Sequence, residues 1–140
     1  MNRFILLLLI LNTSFAFGQK THQSIKIVKQ KHILDLPSAS GVEYLDGNIY
    51  IIGDDSPYLF KLDDDFEILE KYSLTNNDST INGRVIKGIK SDFEAMAFFD
   101  KEHLIVLSSG SKLLNRDTLH LFSLKTKSTI VSKSMRPIYD

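Results

Sequence analysis

The sequence predicts an all-β protein built from four-stranded antiparallel sheets, and three observations support this prediction. Short runs of β-branched and aromatic residues alternate with polar residues, turn-forming pairs separate the runs, and a pattern of four runs occurs twice. Repeats of this kind are typical of β-propeller blades. We therefore expect an incomplete propeller of about two blades. Turn signals at intervals of about 8–12 residues also fit a single β-sandwich, which stays open as an alternative.

The first blade is predicted over about residues 37–75. Its first two strands, at residues 41–45 and 48–52, flank Asp46-Gly47. Asp-Gly between two apolar runs is among the strongest signals for a two-residue hairpin. The third and fourth strands are predicted at residues 58–62 and 67–74, on either side of an acidic turn.

The second blade is predicted over about residues 90–134, because its runs match those of the first blade in order. Its strands are expected at residues 92–99, 103–107, 119–124 and 128–133. Ser40-Gly41-Val42 matches Glu94-Ala95-Met96, which lies 54 residues later. Residues 48–52 match residues 103–107, and residues 59–62 match residues 121–124.

Two blades leave two apolar sheet faces without a neighbour. Repeat folds usually need at least three units, and propellers hold about four to eight blades. We therefore expect either that this chain is the front part of a longer, interrupted protein or that copies of it associate through their open blade faces, and we favour the first.

The N-terminus predicts a removed signal peptide over residues 1–18. A positive start precedes the apolar run at residues 4–11, and Ala16-Phe17-Gly18 suits cleavage before Gln19. The apolar run is far shorter than the about 20 residues of a membrane span. We expect export to the periplasm or the extracellular space, no transmembrane segment after cleavage, and a mature N-terminal segment at residues 19–36 that leads into the first blade.

Composition excludes several classes of function. The chain has no cysteine, which removes disulfides and thiolate metal sites. Its 17 basic and 17 acidic residues balance, so nothing predicts nucleic-acid binding. The four histidines, His22, His32, His103 and His120, form no zinc-binding spacing, and we expect them at the surface. The sequence contains no GxSxG motif, so nothing in it indicates a serine hydrolase.

A series of short motifs resembles a known family when the motifs are read in order. The motifs are Ser40-Gly41-Val42, a strand ending in Asp54-Asp55, residues 59–63, and the strand at residues 92–97. This order resembles the secreted phytase-like or esterase-like six-bladed β-propellers, and most closely their uncharacterised exported branch. The similarity covers most of residues 35–125. This stretch corresponds to about two of the roughly six blades of such a propeller, in its N-terminal part.

The resemblance implies a calcium site. In such propellers the acid that opens a first strand points to the central channel, where related members hold calcium. By position, the implied ligands are Asp54, Asp55, Asp92 and Glu94. Calcium takes six to eight oxygens, so these acids would supply part of a shell. Ala95 stands where the family usually has glycine. Loop acids that accept backbone N–H bonds are the alternative explanation.

Three functions stay open on the sequence. The first is a module that binds an unidentified ligand or protein, and the second is a calcium-assisted hydrolase of phosphate or ester substrates in which Glu94 and Asp54 position metal and water. The third is a fragment without a function. The cations Arg84, Lys87 and Lys90 could attract a phosphate but are interpreted as a solvated surface. We rank binding first.

Overall fold

The computed structural model describes residues 25–76, 79–111 and 116–139. The predicted signal peptide and its cleavage point lie outside these residues. The chain divides into two units, Met1–Gln30 and Lys31–Asp140. The described part of the first unit carries no regular secondary structure, and all the strands belong to the second unit. Within the described ranges, no helix is long and apolar enough to cross a membrane.

Blade 1 is a four-stranded antiparallel meander. Its strands are β1 (Ala39–Leu45), β2 (Asn48–Gly53), β3 (Tyr58–Leu62) and β4 (Ile68–Ser73), hydrogen-bonded in that order. Asp46 and Gly47 join β1 to β2 with φ angles of 49° and 77°. Positive φ at both central residues is the conformation of a type I′ hairpin turn, which favours Asp-Gly. The predicted hairpin is therefore confirmed.

A small hairpin separates the two blades. Strands β5 (Thr80–Ile81) and β6 (Arg84–Val85) pair around Asn82 and Gly83, whose φ angles are 51° and 75°. Asn-Gly is a strong signal for such a turn, but the two short strands were not predicted from the sequence. Val85 is buried, and its N–H donates to the carbonyl of Asp55, so the hairpin is fixed to the end of β2.

Blade 2 repeats the arrangement of blade 1. Its strands are β7 (Phe93–Phe98), β8 (His103–Ser108), β9 (Thr118–Ser123) and β10 (Ser128–Ser134), again in one antiparallel meander. A single helical turn, α1 (Arg136–Tyr139), follows. The predicted all-β fold of four-stranded antiparallel sheets is confirmed.

The two sheets are arranged like neighbouring blades. The inner strand β1 packs along the inner strand β7, whereas the outer strands β4 and β10 meet at few positions. Sheets that lie close at their inner strands and diverge at their outer strands form a fan. This arrangement, with each sheet an uninterrupted meander, is the geometry of propeller blades.

The hydrophobic core lies between the blades. Ile52 and Leu59 of blade 1 and Val106 of blade 2 are fully buried in it. Tyr72 and Phe122 face each other across the outer part of the core, with ring centroids 5.6 Å apart. Burying a side chain of this size contributes about 1.5–3 kcal/mol, so the contact between the sheets is a main source of stability.

Gly41 allows the inner strands to approach closely. A Cβ atom at this position would lie 3.0 Å from Cγ1 of Ile52 and 3.3 Å from the backbone nitrogen of Met96. The adjacent Ser40 donates a hydrogen bond of 2.6 Å from Oγ to the carbonyl of Phe93. A small residue at position 41 is therefore required by the packing of β1 on β7.

The strand registers establish which residues of the two blades are equivalent. In β1 the register shifts between Ala39 and Gly41, and in β7 it shifts between Phe93 and Ala95. Each inner strand thus has a β-bulge at the same place, with Ser40 in one bulge and Glu94 in the other. The predicted match of Ser40-Gly41-Val42 to Glu94-Ala95-Met96 is confirmed by these registers.

The predicted match of the third strands is wrong by two residues. Ile52 pairs with Leu59, and its equivalent Leu107 pairs with Leu119, so Leu59 corresponds to Leu119 rather than to Leu121. A slip of two residues leaves every side chain on the same face of a strand. Sequence alternation therefore could not distinguish the two alignments, and only the hydrogen bonds with β8 do.

Candidate functional site

The structure brings most of the predicted acids together at one edge of the two blades. Asp54 and Asp55 follow the end of β2, Asp92 immediately precedes β7, and Glu94 occupies the bulge of β7. Asp54, Asp92 and Glu94 each place one carboxylate oxygen within 4.8 Å of the others. Asp55 lies beside this group but is not one of the three.

Lys90 lies among these acids. Its Nζ is 2.6 Å from Oδ1 of Asp54, 2.8 Å from Oδ1 of Asp92 and 3.0 Å from Oδ1 of Asp55. The Lys90 side chain is only 12% exposed. The interpretation of Lys90 as a solvated cation is therefore wrong, because its ammonium group joins acids from both blades.

Two arginines offset more of the negative charge of these acids. Arg84 of β6 donates to Oδ2 of Asp55 at 2.5 Å, and Arg116 donates to Oδ2 of Asp92 at 3.1 Å. Ser109 Oγ donates to the same oxygen of Asp92 at 2.6 Å. We call the charged residues of this site the charged cluster: Asp54, Asp55, Arg84, Lys90, Asp92, Glu94 and Arg116.

The contacts in the charged cluster shift the pKa values of its members. Burial alone would lower the pKa of Lys90, but its hydrogen bonds to Asp54, Asp92 and Asp55 outweigh burial and raise it. Burial opposes ionisation of Asp92, yet hydrogen bonds from Asp54, Lys90 and Ser109 lower its pKa. Burial and the hydrogen bond to Asp92 raise the pKa of Asp54. Among the three aspartates of the cluster, Asp54 is thus the one that protonates most readily.

The carboxylate of Glu94 differs from the others because it stays accessible. Glu94 is exposed, and among the described residues it makes no hydrogen bond or ion pair. The bulge of β7 places it beside Asp54 and Asp92 without drawing it into the lysine contact. Glu94 is therefore the acid of the charged cluster that is free to meet a ligand.

The donor set suits a lysine ammonium better than a bare calcium ion. Calcium requires six to eight oxygens at about 2.3–2.6 Å. The three clustered carboxylates are close enough to share an ion, but two of them, Asp54 and Asp92, already bond Lys90. An ion at this place would have to displace Lys90 from both acids.

A groove lies beside the charged cluster. Its volume is about 560 Å³, and its walls are the segment before β1 and the β5–β6 hairpin. Polar side chains from separate segments line it, among them His32, Tyr58, Lys71 and Arg84. Arg84 belongs to both places, since it also donates to Asp55. No sequence motif indicated this groove, because its walls come from segments far apart in the chain.

His120 is buried, so the prediction that it lies at the surface is wrong. Its side chain contacts the Phe93 ring edge-to-face, with centroids 5.5 Å apart, and its Nε2 lies 3.1 Å from Oγ1 of Thr118. Nδ1 is buried without a hydrogen-bond partner. Burial lowers the pKa of His120, which keeps the imidazole neutral. The alternation of β9 could have indicated an inward position.

Comparison with known proteins places the chain in a family. No curated protein matches it. Residues 35–140 match the model of a family of unknown function, DUF6929. The match includes both blades and the whole charged cluster. The chain therefore belongs to the DUF6929 family.

Proposed function

We propose that this chain supplies two blades of an exported β-propeller that binds a small ligand in the groove beside the charged cluster. The blade-like sheets support this proposal, and so does the order of motifs, which resembles that of secreted phytase-like or esterase-like propellers. A relationship to those propellers, and a location in the periplasm or outside the cell, are parts of the proposal.

The observation that carries the proposal is the groove itself. Ligand sites are concave, hold about 300–1,000 Å³ and combine apolar walls with a few convergent polar groups. The groove holds about 560 Å³, and Ile33, Leu36 and Tyr58 line it together with polar and charged side chains. It thus has the size of a small-molecule site, and its lining is more polar than is typical, which suits a polar or charged ligand.

The charges of the lining favour an anionic ligand. Nζ of Lys71 forms an ion pair with Oδ2 of Asp35 at 3.0 Å, and this pair offsets one positive charge of the groove. Arg84 bonds Asp55, but its side chain is 58% exposed, and His32 is exposed. A guanidinium group suits phosphate and carboxylate groups because it can donate two parallel hydrogen bonds. We infer that the ligand carries such a group.

A fluorescence titration tests this proposal. The chain has no tryptophan, so Tyr58→Trp places a single reporter in the groove. Titration with inorganic phosphate and with small phosphorylated or carboxylated compounds should give a saturable change in emission. Arg84→Gln should raise the dissociation constant from this titration by about tenfold, because the ligand loses a charge-assisted hydrogen bond.

The matched control is Tyr44→Trp. Tyr44 is exposed and lies outside the groove, so a reporter there should not respond. Equal responses from both reporters, or no saturable response from Tyr58→Trp, would contradict the proposed site.

Export has its own test. Expression of the full chain in a secreting bacterial host should yield a processed protein whose first residue is Gln19. N-terminal sequencing of the purified protein reads this directly. Recovery of the unprocessed chain, beginning at Met1, would contradict export.

The three clustered carboxylates favour a second candidate, a calcium-assisted hydrolase of phosphate or ester substrates. In this case Glu94 and Asp54 would hold the ion in place of Lys90, and the ion would supply the Lewis-acid chemistry that polarises the substrate. Hydrolysis of a phosphate monoester should then need calcium, stop with a chelator and be lost in Glu94→Gln. Calcium at millimolar concentration should also raise the melting temperature, because an ion bound only by the folded state stabilises it. An unchanged melting temperature and no hydrolysis would eliminate this candidate.

A further inference from the structure

The two faces of each blade have different surroundings. The face of blade 1 that lies against blade 2 contains Tyr50, Ile52 and Leu59, all buried, and we call it the covered face. The face of blade 2 that lies on it contains Met96 and Val106, also buried, and we call it the covering face. The opposite faces are the open face of blade 1 and the open face of blade 2.

The open face of blade 2 repeats the covered face of blade 1. The registers make Leu107 equivalent to Ile52 and Leu119 equivalent to Leu59. Ile105 likewise takes the place of Tyr50. These residues are apolar but only half-buried, because no third sheet lies on them within the described chain. The open face of blade 2 therefore presents apolar residues at the positions on which a covering face packs, with Ala95 in the place of Gly41.

The open face of blade 1 repeats the covering face of blade 2. Val42 is equivalent to Met96, and Ile51 to Val106. Val42 is 64% exposed, whereas Met96 is 9% exposed. The outer part of this face, at Phe60, is already buried. The part that remains accessible is thus at β1 and β2, where the two blades of this chain also approach most closely.

We propose that copies of this chain assemble head to tail, with the open face of blade 1 of one copy packing on the open face of blade 2 of the next. One chain carries both halves of the contact, and the contact between its own blades shows how they fit at the inner strands. A head-to-tail contact closes into a ring when its rotation permits.

The mass of the chain in solution tests the assembly. Light scattering should give a multiple of the single-chain mass for the unaltered protein. Val42→Lys on one open face, and Leu107→Lys on the other, should each reduce the assembly to single chains at micromolar concentration. Both residues are partly accessible in the single chain, so circular dichroism should show that both variants keep their β structure.

The matched control is Ile81→Lys. Ile81 is 63% exposed, close to the value for Val42, but lies on the β5–β6 hairpin outside both open faces. This variant should keep the mass of the unaltered assembly.

A mixture of the two variants tests the head-to-tail arrangement. Val42→Lys retains a normal open face on blade 2, and Leu107→Lys retains a normal open face on blade 1. Their mixture should form pairs that contain one copy of each variant. The pairs should grow no further, because each of the two open faces that remain carries a substituted lysine.

Two outcomes overturn the proposal. The first is a single-chain mass for the unaltered protein at all concentrations, which is expected if another segment or another protein covers the open faces. The second is an assembly that both lysine variants leave intact.

Discussion

Ile52 in blade 1 and Leu107 in blade 2 occupy the same position in the same sheet, yet their surroundings differ. Ile52 is fully buried beneath blade 2, whereas Leu107 is only half-buried. The reverse holds on the other faces, where Met96 is buried and its equivalent Val42 is exposed. The burial of a blade residue is therefore set by what lies across from its sheet, and only partly by the strand that carries it.

The largest difference should appear when the two equivalent core positions are truncated. Ile52→Ala should cost about 2–5 kcal/mol of unfolding free energy, because it leaves a cavity between the sheets. Leu107→Ala should cost about 1 kcal/mol, since its surface is partly in water already. Urea unfolding measures both, in a Val42→Lys background so that assembly does not cover Leu107. Equal losses would mean that the blades do not differ in this way.

The next effect concerns the ion pairs of Lys90, which connect the two blades near their inner strands. Lys90→Met should cost about 2–3 kcal/mol, because it leaves partly buried carboxylates without their ammonium partner. Lys127 makes a comparable link near the outer strands, to Glu70 at 2.5 Å, but it is 56% exposed. Lys127→Met should hardly change the unfolding free energy, since exposed ion pairs contribute little. Thermal or urea unfolding of both variants makes the comparison, and a larger loss from Lys127→Met would contradict it.

A smaller effect is expected at the inner strands. Gly41→Val should cost about 1–3 kcal/mol, because even a Cβ atom would press on Ile52 and on the backbone of Met96. Its equivalent Ala95 is exposed in the single chain, so Ala95→Val should be nearly neutral when both variants are measured in the Val42→Lys background, which prevents assembly. Urea midpoints of the two variants measure the difference. Similar values would show that β1 and β7 do not approach as closely as described.

The smallest expected effect is a change in how the folding stability depends on pH. His120 is buried with a lowered pKa, whereas its equivalent in blade 1 is Phe60. The unfolded chain binds a proton at this histidine near pH 6.5, so stability should fall as the pH drops below about 6.5. In His120→Phe this part of the decline should disappear. Unfolding midpoints at about pH 7.5 and pH 5 make the comparison, and parallel profiles would contradict it.

Much of the fold follows from the sequence because local chemistry determines it. Asp46-Gly47 and Asn82-Gly83 adopt the positive φ angles that hairpin turns need, and alternation within the strands identified the sheets. The equivalence of Ser40 and Glu94 was also predictable, since both blades repeat the same order of strands. The register of β9 was not, because a shift from Leu119 to Leu121 preserves the alternation.

The candidate site was predicted only in part. Resemblance indicated the acids Asp54 and Asp92, and the structure brings them together. It did not indicate Lys90, whose role depends on the contact between two blades rather than on its neighbours in sequence. Arg116 was missed for the same reason, because its loop reaches Asp92 only through folding. Ion pairs between distant segments leave no local pattern in a single sequence.

The β-bulges of β1 and β7 let one residue of each inner strand vary without changing the sheet that carries it. In each inner strand the bulged residue stands outside the regular ladder, so its side chain is not tied to the packing of either sheet face. Ser40 uses this freedom to tether the neighbouring strand, and Glu94 uses it to present a charge. A repeat built in this way can change the residue it displays at one rim from blade to blade while every sheet keeps the same frame.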